Sequence, residues 1–467
     1  GSIAAYPTDA PIIHRYLRLL KPDSGPQALG PVPRLGIGTR MTTAVWPAIW
    51  TAMAHFGFAA NAIQNSVREL HLLPNLLAAA QPEVNVAFNF GAIETGYTGS
   101  TFEGLWVAGV LDGLQHGAPA NHGADADHIQ VKRGPGGLNR AKTLLDAARY
   151  YSFYTLDVSD VLNYGALDAG PAAAEAMLAE IVPDAAERRM LLAYHRETDA
   201  GGGAAARLDE TMLARLAGKY WDALEAMERL TDYLKGLRQG EPFDLELSID
   251  EHPAEVATFD CLTSEMELIF LLNEARRRGI PLTHIAPNLG IEKGVDYACP
   301  DGLPGLAMRC ASLARLAADA GTIMDVHSGD DLSAATRQAV GRAAGGFLQF
   351  KVSPMLQLIF AEVLTEHDPE LFRLWWEDAL VYARRAAEGG SALAVEALRH
   401  DSAGAAGLQP TARGAIFHHF SFAFVGRRDA AGRFLVRDRF YRLTPDFYRA
   451  YQEHIVAYLG RLAADLF

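Results

Sequence analysis

The chain has few cysteines and little positive charge. Its 467 residues include three cysteines, Cys261, Cys299 and Cys310, and none of them lies in a CxxC pair. This odd, sparse set predicts reduced thiols rather than a disulfide framework, and so a cytoplasmic protein. Lys and Arg number 42 against 56 Asp and Glu, for a net charge of -14. Nucleic acid and anionic membrane surfaces are therefore not expected as partners.

Long apolar runs and nucleotide signatures are also absent. No apolar run reaches the roughly 18 residues of a membrane span. Residues 36–38 (Gly-Ile-Gly) lack the third glycine of a dinucleotide fingerprint, and the glycines at 134–137 have the wrong spacing. Because no GxxxxGK motif occurs either, we expect neither NAD nor ATP as a cofactor. Hydrophobic residues make up 49% of the chain, which is ample for a core.

Strand-like and helix-like segments alternate along the chain. The expected strands lie at 34–38, 84–90, 123–131, 152–156, 243–250, 281–286, 322–327 and 347–351. Most precede a helical stretch, as at 257–278, 306–318, 332–344 and 355–365. This alternation predicts parallel βαβ units, and about eight of them indicate an α/β fold of the TIM-like (β/α)8 barrel type.

We divide the chain into four parts. Residues 1–165 and 241–366 form the two halves of the barrel. Residues 166–240 are rich in alanine and poor in strand signals, which predicts a helical insertion. Residues 367–467 form a mostly helical C-terminal extension that packs on the barrel. Its last helix, at 444–467, is opened by Thr444 as a cap with Pro445 in the first turn.

Acidic and imidazole side chains follow several of the predicted strands. Asp127 and His128 end the segment 121–128, Asp250 and Glu251 end the strand at 243–250, and His327 ends the strand at 322–327. Barrel enzymes keep their catalytic groups at the carboxyl ends of the strands. A mixture of oxygen and nitrogen ligands suits a divalent metal ion such as Zn, Mn, Ni or Co. The pattern therefore predicts a metal-containing active site on the barrel rim.

Simpler structural roles remain open for these residues. Asp250 could cap the next helix, since Asp is a good N-cap. Ser328, Asp330 and Asp331 could cap the helix that begins near residue 332. Lys351, at the end of a strand, could stabilise an anion or lie exposed at the surface.

Three further residues are candidates for substrate binding. Arg40 and Lys293 could bind a substrate carboxylate or form surface ion pairs, and His284 is a weaker candidate. The pair His418 and His419 is interpreted as structural.

Taken together, these segments resemble the tagaturonate epimerase family. The resemblance rests on an ordered set of motifs that spans most of the chain: residues 34–38, 64–69, 123–128, 248–251, 286–287, 292–297, 327–329 and 418–419. It implies a metal-dependent barrel enzyme that inverts C4 of a 2-keto hexuronate, interconverting D-tagaturonate and D-fructuronate. Two positions depart from the family pattern, Gln130 in place of a lysine and Val352 at the start of a stretch after Lys351. The exact substrate is therefore open, including a related ketohexose.

This reading assigns a role to each candidate residue. The expected metal ligands are His128, Glu251 and His327, with Asp250 interchangeable with Glu251. The expected catalytic residues are Asp127 and Asp250 for acid–base work and Lys351 for negative charge. The expected substrate-binding residues are Arg40, Gln64, His284, Lys293, Ser328 and Asp330.

The chemistry of a C4 inversion favours retro-aldol cleavage and re-addition. The alternatives are a metal-dependent isomerase or aldolase on the same barrel, and a sugar-acid-binding protein without catalysis. The expected partner is a small sugar acid, and a homo-oligomer is compatible with the sequence.

Overall fold

The computed structural model describes residues 6–39, 43–65, 84–87, 91–94, 101–134, 136–197, 208–252, 256–292, 294–403 and 408–467. Its strands are β1 (Arg34–Gly38), β2 (Ala59–Asn65), β3 (Val84–Ala87), β4 (Gly91–Glu94), β5 (His122–Gln130), β6 (Phe153–Asp157), β7 (Asp244–Ser248), β8 (His284–Ala286), β9 (Ile323–Val326) and β10 (Leu348–Val352). Eight of them close a parallel barrel in the order β1-β10-β9-β8-β7-β6-β5-β2. The predicted TIM-like barrel is confirmed.

The second barrel strand differs from the prediction. The segment expected at 84–90 supplies β3, which pairs antiparallel with β4 in a separate two-stranded sheet. The barrel instead uses β2, which pairs with both β1 and β5. Its sequence, AANAIQN, contains a single β-branched residue and three amide side chains. Strand propensity is therefore weak here, and burial of the whole strand inside the closed barrel overrides it.

Helices surround the barrel and extend beyond it. They are α1 (Ala10–Leu20), α2 (Trp46–Phe56), α3 (Phe102–His116), α4 (Gly137–Ala147), α5 (Pro171–Ile181), α6 (Ala185–Glu197), α7 (Glu210–Arg238), α8 (Glu265–Arg277), α9 (Gly302–Asp319), α10 (Ala334–Ala343), α11 (Pro354–His367), α12 (Pro369–Glu388), α13 (Ala392–Ser402), α14 (Ala415–Phe420), α15 (Arg437–Phe440) and α16 (Pro445–Leu466). Within the described ranges, no helix is both long and apolar enough to cross a membrane.

The long helix α7 joins the insertion to the barrel. The Tyr233 hydroxyl donates to Asp146 of α4 at 2.8 Å, and Lys219 Nζ lies 2.6 Å from Glu267 of α8. Glu267 also completes a capping box with Ser264 at the start of α8, which fixes the first turn of that helix. The helix α7 therefore packs between α4 and α8 in the ring that covers the strands.

The last helix, α16, covers the barrel where its first and last strands meet. Thr444 caps it as predicted, because its side chain accepts from the backbone N–H of Phe447. A hydroxyl–carbonyl contact of 3.3 Å joins Tyr451 to Leu356 of α11, and Arg337 of α10 lies 2.6 Å from Asp465. The C-terminal extension is thus fastened to the helices that follow β9 and β10.

Candidate active site

A lysine and four carboxylates occupy the interior of the barrel. Lys351, on β10, is almost fully buried and donates to Thr155 Oγ1 of β6 at 2.7 Å. Its Nζ lies 3.0 Å from Asp127 Oδ1, 3.1 Å from Glu246 Oε2, 3.2 Å from Asp125 Oδ2 and 3.5 Å from Asp325 Oδ2. Burial lowers the pKa of Lys351, but the surrounding carboxylates outweigh it and the pKa lies well above its ordinary value. The lysine is therefore a fixed positive charge.

A glycine in β1 makes room for this lysine. A Cβ added at Gly36 would lie 2.7 Å from Lys351 Cγ and 2.5 Å from Gln64 Oε1. Only glycine lets the backbone of β1 approach these two side chains so closely. The motif Gly36-Ile37-Gly38 therefore serves packing inside the barrel.

His327, just after β9, lies among three carboxylates that belong to β7, to the residues just after β7, and to β9. Its Nε2 lies 2.8 Å from Glu246 Oε1 and 3.4 Å from Asp325 Oδ2. Its Nδ1 lies 3.0 Å from Asp250 Oδ2, within ion-pair distance but without the alignment of a hydrogen bond. Burial lowers the pKa of His327, yet Asp250 and the other carboxylates raise it well above the ordinary value.

A second imidazole faces the first. The rings of His128 and His327 are 5.0 Å apart in an edge-to-face arrangement. His128 Nδ1 lies 3.4 Å from Asp157 Oδ2, at the end of β6, and its Nε2 lies 3.8 Å from Asp127 Oδ1. The structure thus brings His128, Asp127, Asp250, His327 and Lys351 into one site, as the sequence predicts for these five residues.

The backbone at the two histidines is strained. His128 has a φ of 51° and Ser328 a φ of 58°, in the left-handed region that non-glycine residues rarely occupy. Such conformations are held in place by the surrounding structure and cluster at functional sites. This placement aims both imidazoles into the same space.

The pKa values of the carboxyl groups in the site are shifted in opposite directions. Burial raises the pKa of Asp125 to about 8 and that of Glu246 to about 7. Burial also raises the pKa of Asp127, but Lys351 and the two imidazoles outweigh it and the net pKa falls below the ordinary value. The pKa of Asp250 is lowered in the same way by His327. One site therefore contains both proton-retaining and fully ionised carboxyl groups, an arrangement typical of acid–base catalysis.

One group among the described residues has ligand atoms close enough together to hold a metal ion. It consists of Glu246, Asp325 and His327, all buried, whose ligand atoms lie within 4.8 Å of one another. Asp325 Oδ1 is buried and has no hydrogen-bond partner among the described residues. A buried carboxylate oxygen left without a donor is costly, and a cation would satisfy it.

The remaining predicted residues lie in different places. Gln64 is buried inside the barrel beside Gly36, and His284 is fully buried with its ring on Phe153, 4.7 Å between centroids. The carboxylate of Asp330 accepts from the backbone N–H groups of Ser353 and Met355.

The other predicted site residues are Ser328, Glu251, Arg40 and Lys293. Ser328 carries the strained backbone described above, and Ser333, not Ser328, Asp330 or Asp331, caps α10. Glu251 is half-buried, and its backbone carbonyl accepts from the Tyr164 hydroxyl. Arg40 and Lys293 lie outside the described residues.

Several residues of the site were not predicted from the sequence. They are Asp125, Thr155, Asp157, Glu246, Asp325 and Gln349, none of which was assigned a role from the sequence. Three of them stand two residues before a predicted one: Asp125 before Asp127, Asp325 before His327, and Gln349 before Lys351. Since side chains two apart on a strand share a face, this spacing was the signal available.

The opposite end of the barrel contains a separate ion pair. Arg34 Nη1 lies 3.0 Å from Asp244 Oδ2, and both side chains are buried. The backbone N–H groups of Leu29 and Gly30 donate to the same carboxylate at 2.9 Å, and Arg34 Nε donates to the carbonyl of Val32. We call this pair the floor, and the cluster around Lys351 and His327 the mouth.

Comparison with known proteins points to one family. A model of the tagaturonate epimerase family matches residues 92–462. The tagaturonate/fructuronate epimerase of Thermotoga maritima is 28% identical over 281 residues, which cover 59% of this chain and 53% of that protein. The chain thus spans about half the length of this curated relative. The glycerol-complexed crystal structure of fructuronate-tagaturonate epimerase from Cohnella laeviribosi matches with a TM-score of 0.71 at 20% identity, over 97% of this chain and 85% of that one. The native structure of the same protein gives the same values, and this likeness shows the fold.

Proposed function

Because the chain belongs to the tagaturonate epimerase family, we propose that it interconverts D-tagaturonate and D-fructuronate by inverting C4. The observation that carries the proposal is the mouth of the barrel, where Lys351 and His327 lie among carboxylates with opposed pKa shifts. The relatives from Thermotoga maritima and Cohnella laeviribosi are named for the same reaction.

The position of C4 restricts the route. C4 of a 2-ketose is not adjacent to the carbonyl carbon, so its proton is not acidic and enolisation does not reach it. Transient oxidation would need a hydride acceptor, and the sequence has no nicotinamide fingerprint. Retro-aldol cleavage of the C3–C4 bond, rotation of the aldehyde and re-addition to its other face invert C4 with all atoms conserved. We propose this route.

Glu246, Asp325 and His327 are the residues that would hold a divalent metal ion. Their two carboxylates and one imidazole are a donor set suited to Zn, Mn, Ni or Co, and the unpartnered Asp325 Oδ1 fits a cation. This proposed set keeps His327 from the sequence prediction and replaces Glu251 and His128. When bound, such an ion supplies Lewis-acid polarisation of the substrate carbonyl oxygen.

Asp127 and Asp250 are the carboxylates proposed to exchange the O4 proton. Their side chains are 14% and 16% exposed, whereas Asp125, Glu246 and Asp325 are fully covered. A substrate entering the mouth therefore meets these two first. Asp127 lies in β5, and Asp250 lies just after β7, so the two carboxylates come from different parts of the barrel. Since O4 points in opposite directions in the two epimers, two carboxylates suit the removal of its proton on one side and its return on the other.

Lys351 and the substrate carboxylate complete the proposal. Lys351 Nζ donates to Asp127 Oδ1, which supports a role for Lys351 in stabilising the negative charge that develops when O4 loses its proton. Arg40 and Lys293 remain the candidates for binding the carboxylate of the hexuronate. Both are cations near the carboxyl ends of β1 and β8 in the sequence, where barrel enzymes bind substrate.

Product analysis by NMR tests the proposed function. The protein is stripped with EDTA, reloaded with Mn, Ni, Co or Zn, and incubated with D-tagaturonate and then with D-fructose. Metal-dependent appearance of the C4 epimer supports the proposal, and the preferred substrate identifies the specificity. Migration of the carbonyl would indicate an isomerase, and release of two fragments an aldolase. Binding of a sugar acid without turnover under any metal would indicate a non-catalytic protein.

A further inference from the structure

A chain of buried side chains connects the floor of the barrel to the mouth. Arg34 Nη1 donates to Asn61 Oδ1 at 3.4 Å, and Asn61 Nδ2 donates to Gln349 Oε1 at 3.4 Å. Gln349 Nε2 then donates to Asp325 Oδ2 at 2.7 Å. All four side chains are fully buried. The chain ends on one of the proposed metal ligands.

The direction of this chain is imposed from the floor. Arginine can only donate hydrogen bonds, and an ionised aspartate can only accept them. The two amides between Arg34 and Asp325 therefore have one orientation that satisfies every contact, with each oxygen toward Arg34 and each NH2 toward Asp325. Asp244 holds the Arg34 guanidinium in place. A donor, never a carbonyl oxygen, is thereby presented to Asp325.

The backbone is adapted to this chain. A Cβ at Gly123 would lie 2.4 Å from Asn61 Oδ1, so the glycine of β5 leaves the space that the Asn61 amide occupies. Asn61 also pairs with Gly123 in the β2–β5 register. Gly123 belongs to the acidic segment singled out in the sequence, and its role there is to admit the amide.

We propose that Gln349 is a positioning residue for the metal ion. It holds Asp325 Oδ2 by a hydrogen bond whose direction is fixed by Arg34 through Asn61. Oδ1, which is buried and has no hydrogen-bond partner among the described residues, is left as the oxygen that binds the ion. This inference rests on the metal dependence included in the proposed function. Loss of a residue that orients a metal ligand through a hydrogen bond typically lowers metal affinity by about 10- to 100-fold.

Metal affinity measured without substrate tests the inference. EDTA-stripped protein is titrated with Mn²⁺ by calorimetry, and the thermal unfolding of the metal-free protein is followed in parallel. Gln349→Leu removes the donor, and its affinity for Mn²⁺ should fall by about tenfold or more. Asn61→Ala leaves Gln349 in place but removes the group that orients its amide, so Mn²⁺ affinity should also fall, though by less than in Gln349→Leu. This second variant tests the same hydrogen-bond chain if Gln349→Leu does not fold.

A second buried glutamine supplies the matched control. Gln357, in α11, donates to Ser421 Oγ outside the barrel interior. Gln357→Leu loses a comparable hydrogen bond and a comparable amount of stability, but its Mn²⁺ affinity should equal that of the unaltered chain. If Gln349→Leu binds Mn²⁺ as tightly as the unaltered chain does, the inference about Gln349 is overturned and the proposed function is not affected. No saturable Mn²⁺ binding by the unaltered chain would overturn the metal dependence as well, whereas C4 inversion is tested separately by the NMR experiment.

Discussion

The two ends of the barrel interior both bury charge, but they do so differently. At the floor, one arginine meets one aspartate, and backbone groups together with the Asn61 side chain satisfy the rest of both side chains. At the mouth, Lys351 lies within 3.5 Å of four carboxylates, and Asp325 Oδ1 and Gln64 Oε1 have no hydrogen-bond partner among the described residues. The floor satisfies its buried polar atoms locally, and the mouth leaves some of them without a hydrogen-bond partner in the part of the chain that the structure describes.

This difference separates structural from functional burial. A paired and fully hydrogen-bonded charge fixes one conformation, and breaking it costs stability. Clustered carboxylates and buried oxygens without a partner are destabilising by themselves and persist where a ligand or a reaction requires them. The strained backbone at His128 and Ser328 occurs at the mouth, in agreement with this division. Substitutions at the mouth should therefore reduce activity, and those at the floor should reduce stability.

The largest effect is expected for His327→Ala. This change removes the imidazole of the proposed metal-binding group, so metal retention and turnover should both be lost. The measurements are metal content after gel filtration and the rate of C4 epimer formation. His195 is the matched control, since it is also a buried histidine paired with a carboxylate, Glu274 at 3.0 Å, but between α6 and α8. His195→Ala should lose stability and retain metal, and full activity in His327→Ala would exclude a role for that residue.

The second-largest loss of activity is expected for Lys351→Met. It keeps the length of the side chain but removes the charge proposed to stabilise the developing oxyanion, so kcat/KM should fall by about 100- to 1,000-fold. Lys219 offers the comparison, because it is equally buried and lies 2.6 Å from Glu267. Lys219→Met should leave kcat/KM nearly unchanged in the folded protein. Equal losses in both variants would show that the effect is one of folding.

One carboxylate from each end gives a third test. Asp244→Asn leaves the Arg34 guanidinium buried without a counter-charge and should cost about 3 kcal/mol in the free energy of unfolding. At saturating metal, the kcat of its folded fraction should be nearly unchanged, because the hydrogen-bond chain from Arg34 to Asp325 is proposed to act on metal affinity. Asp127→Asn removes the proposed proton acceptor, so kcat should fall strongly, and its loss of stability should be the smaller of the two because three other carboxylates remain beside Lys351. Urea unfolding and steady-state kinetics of both variants check this, and parallel losses at the two positions would contradict the division.

The sequence predicted the fold better than the individual strands. Alternation of strands and helices was enough for the barrel, because seven of its eight strands carry apolar residues in the expected places. The second strand was missed because AANAIQN has little strand propensity, and the segment at 84–90, which looks more like a strand, pairs in a separate sheet. Closure of the barrel is a tertiary requirement that local propensity does not express.

The site was predicted at its rim and missed in its interior. Polar residues that follow a strand, such as Asp250 and His327, are visible in the sequence because they break an apolar run. Asp125, Asp325 and Gln349 lie within strands, where a single polar residue does not reveal which buried partners surround it. Only the closed barrel brings β5, β7, β9 and β10 around one lysine.

The smallest effect concerns Asp125 and pH. Burial raises its pKa from 3.8 to about 8 in the folded chain, so the native state holds a proton that the unfolded state has released at neutral pH. Stability from this group is fully present below pH 3.8 and is lost as the pH rises toward 8. Asp125→Asn cannot titrate, and the difference in unfolding free energy between the two proteins isolates this group from the others. In EDTA, between pH 5.5 and 7.5, the unaltered chain should lose up to about 1 kcal/mol per pH unit relative to the variant. A difference that is flat with pH would mean that Asp125 is ionised beside Lys351, and the mouth would then have one more negative charge for a metal ion to neutralise.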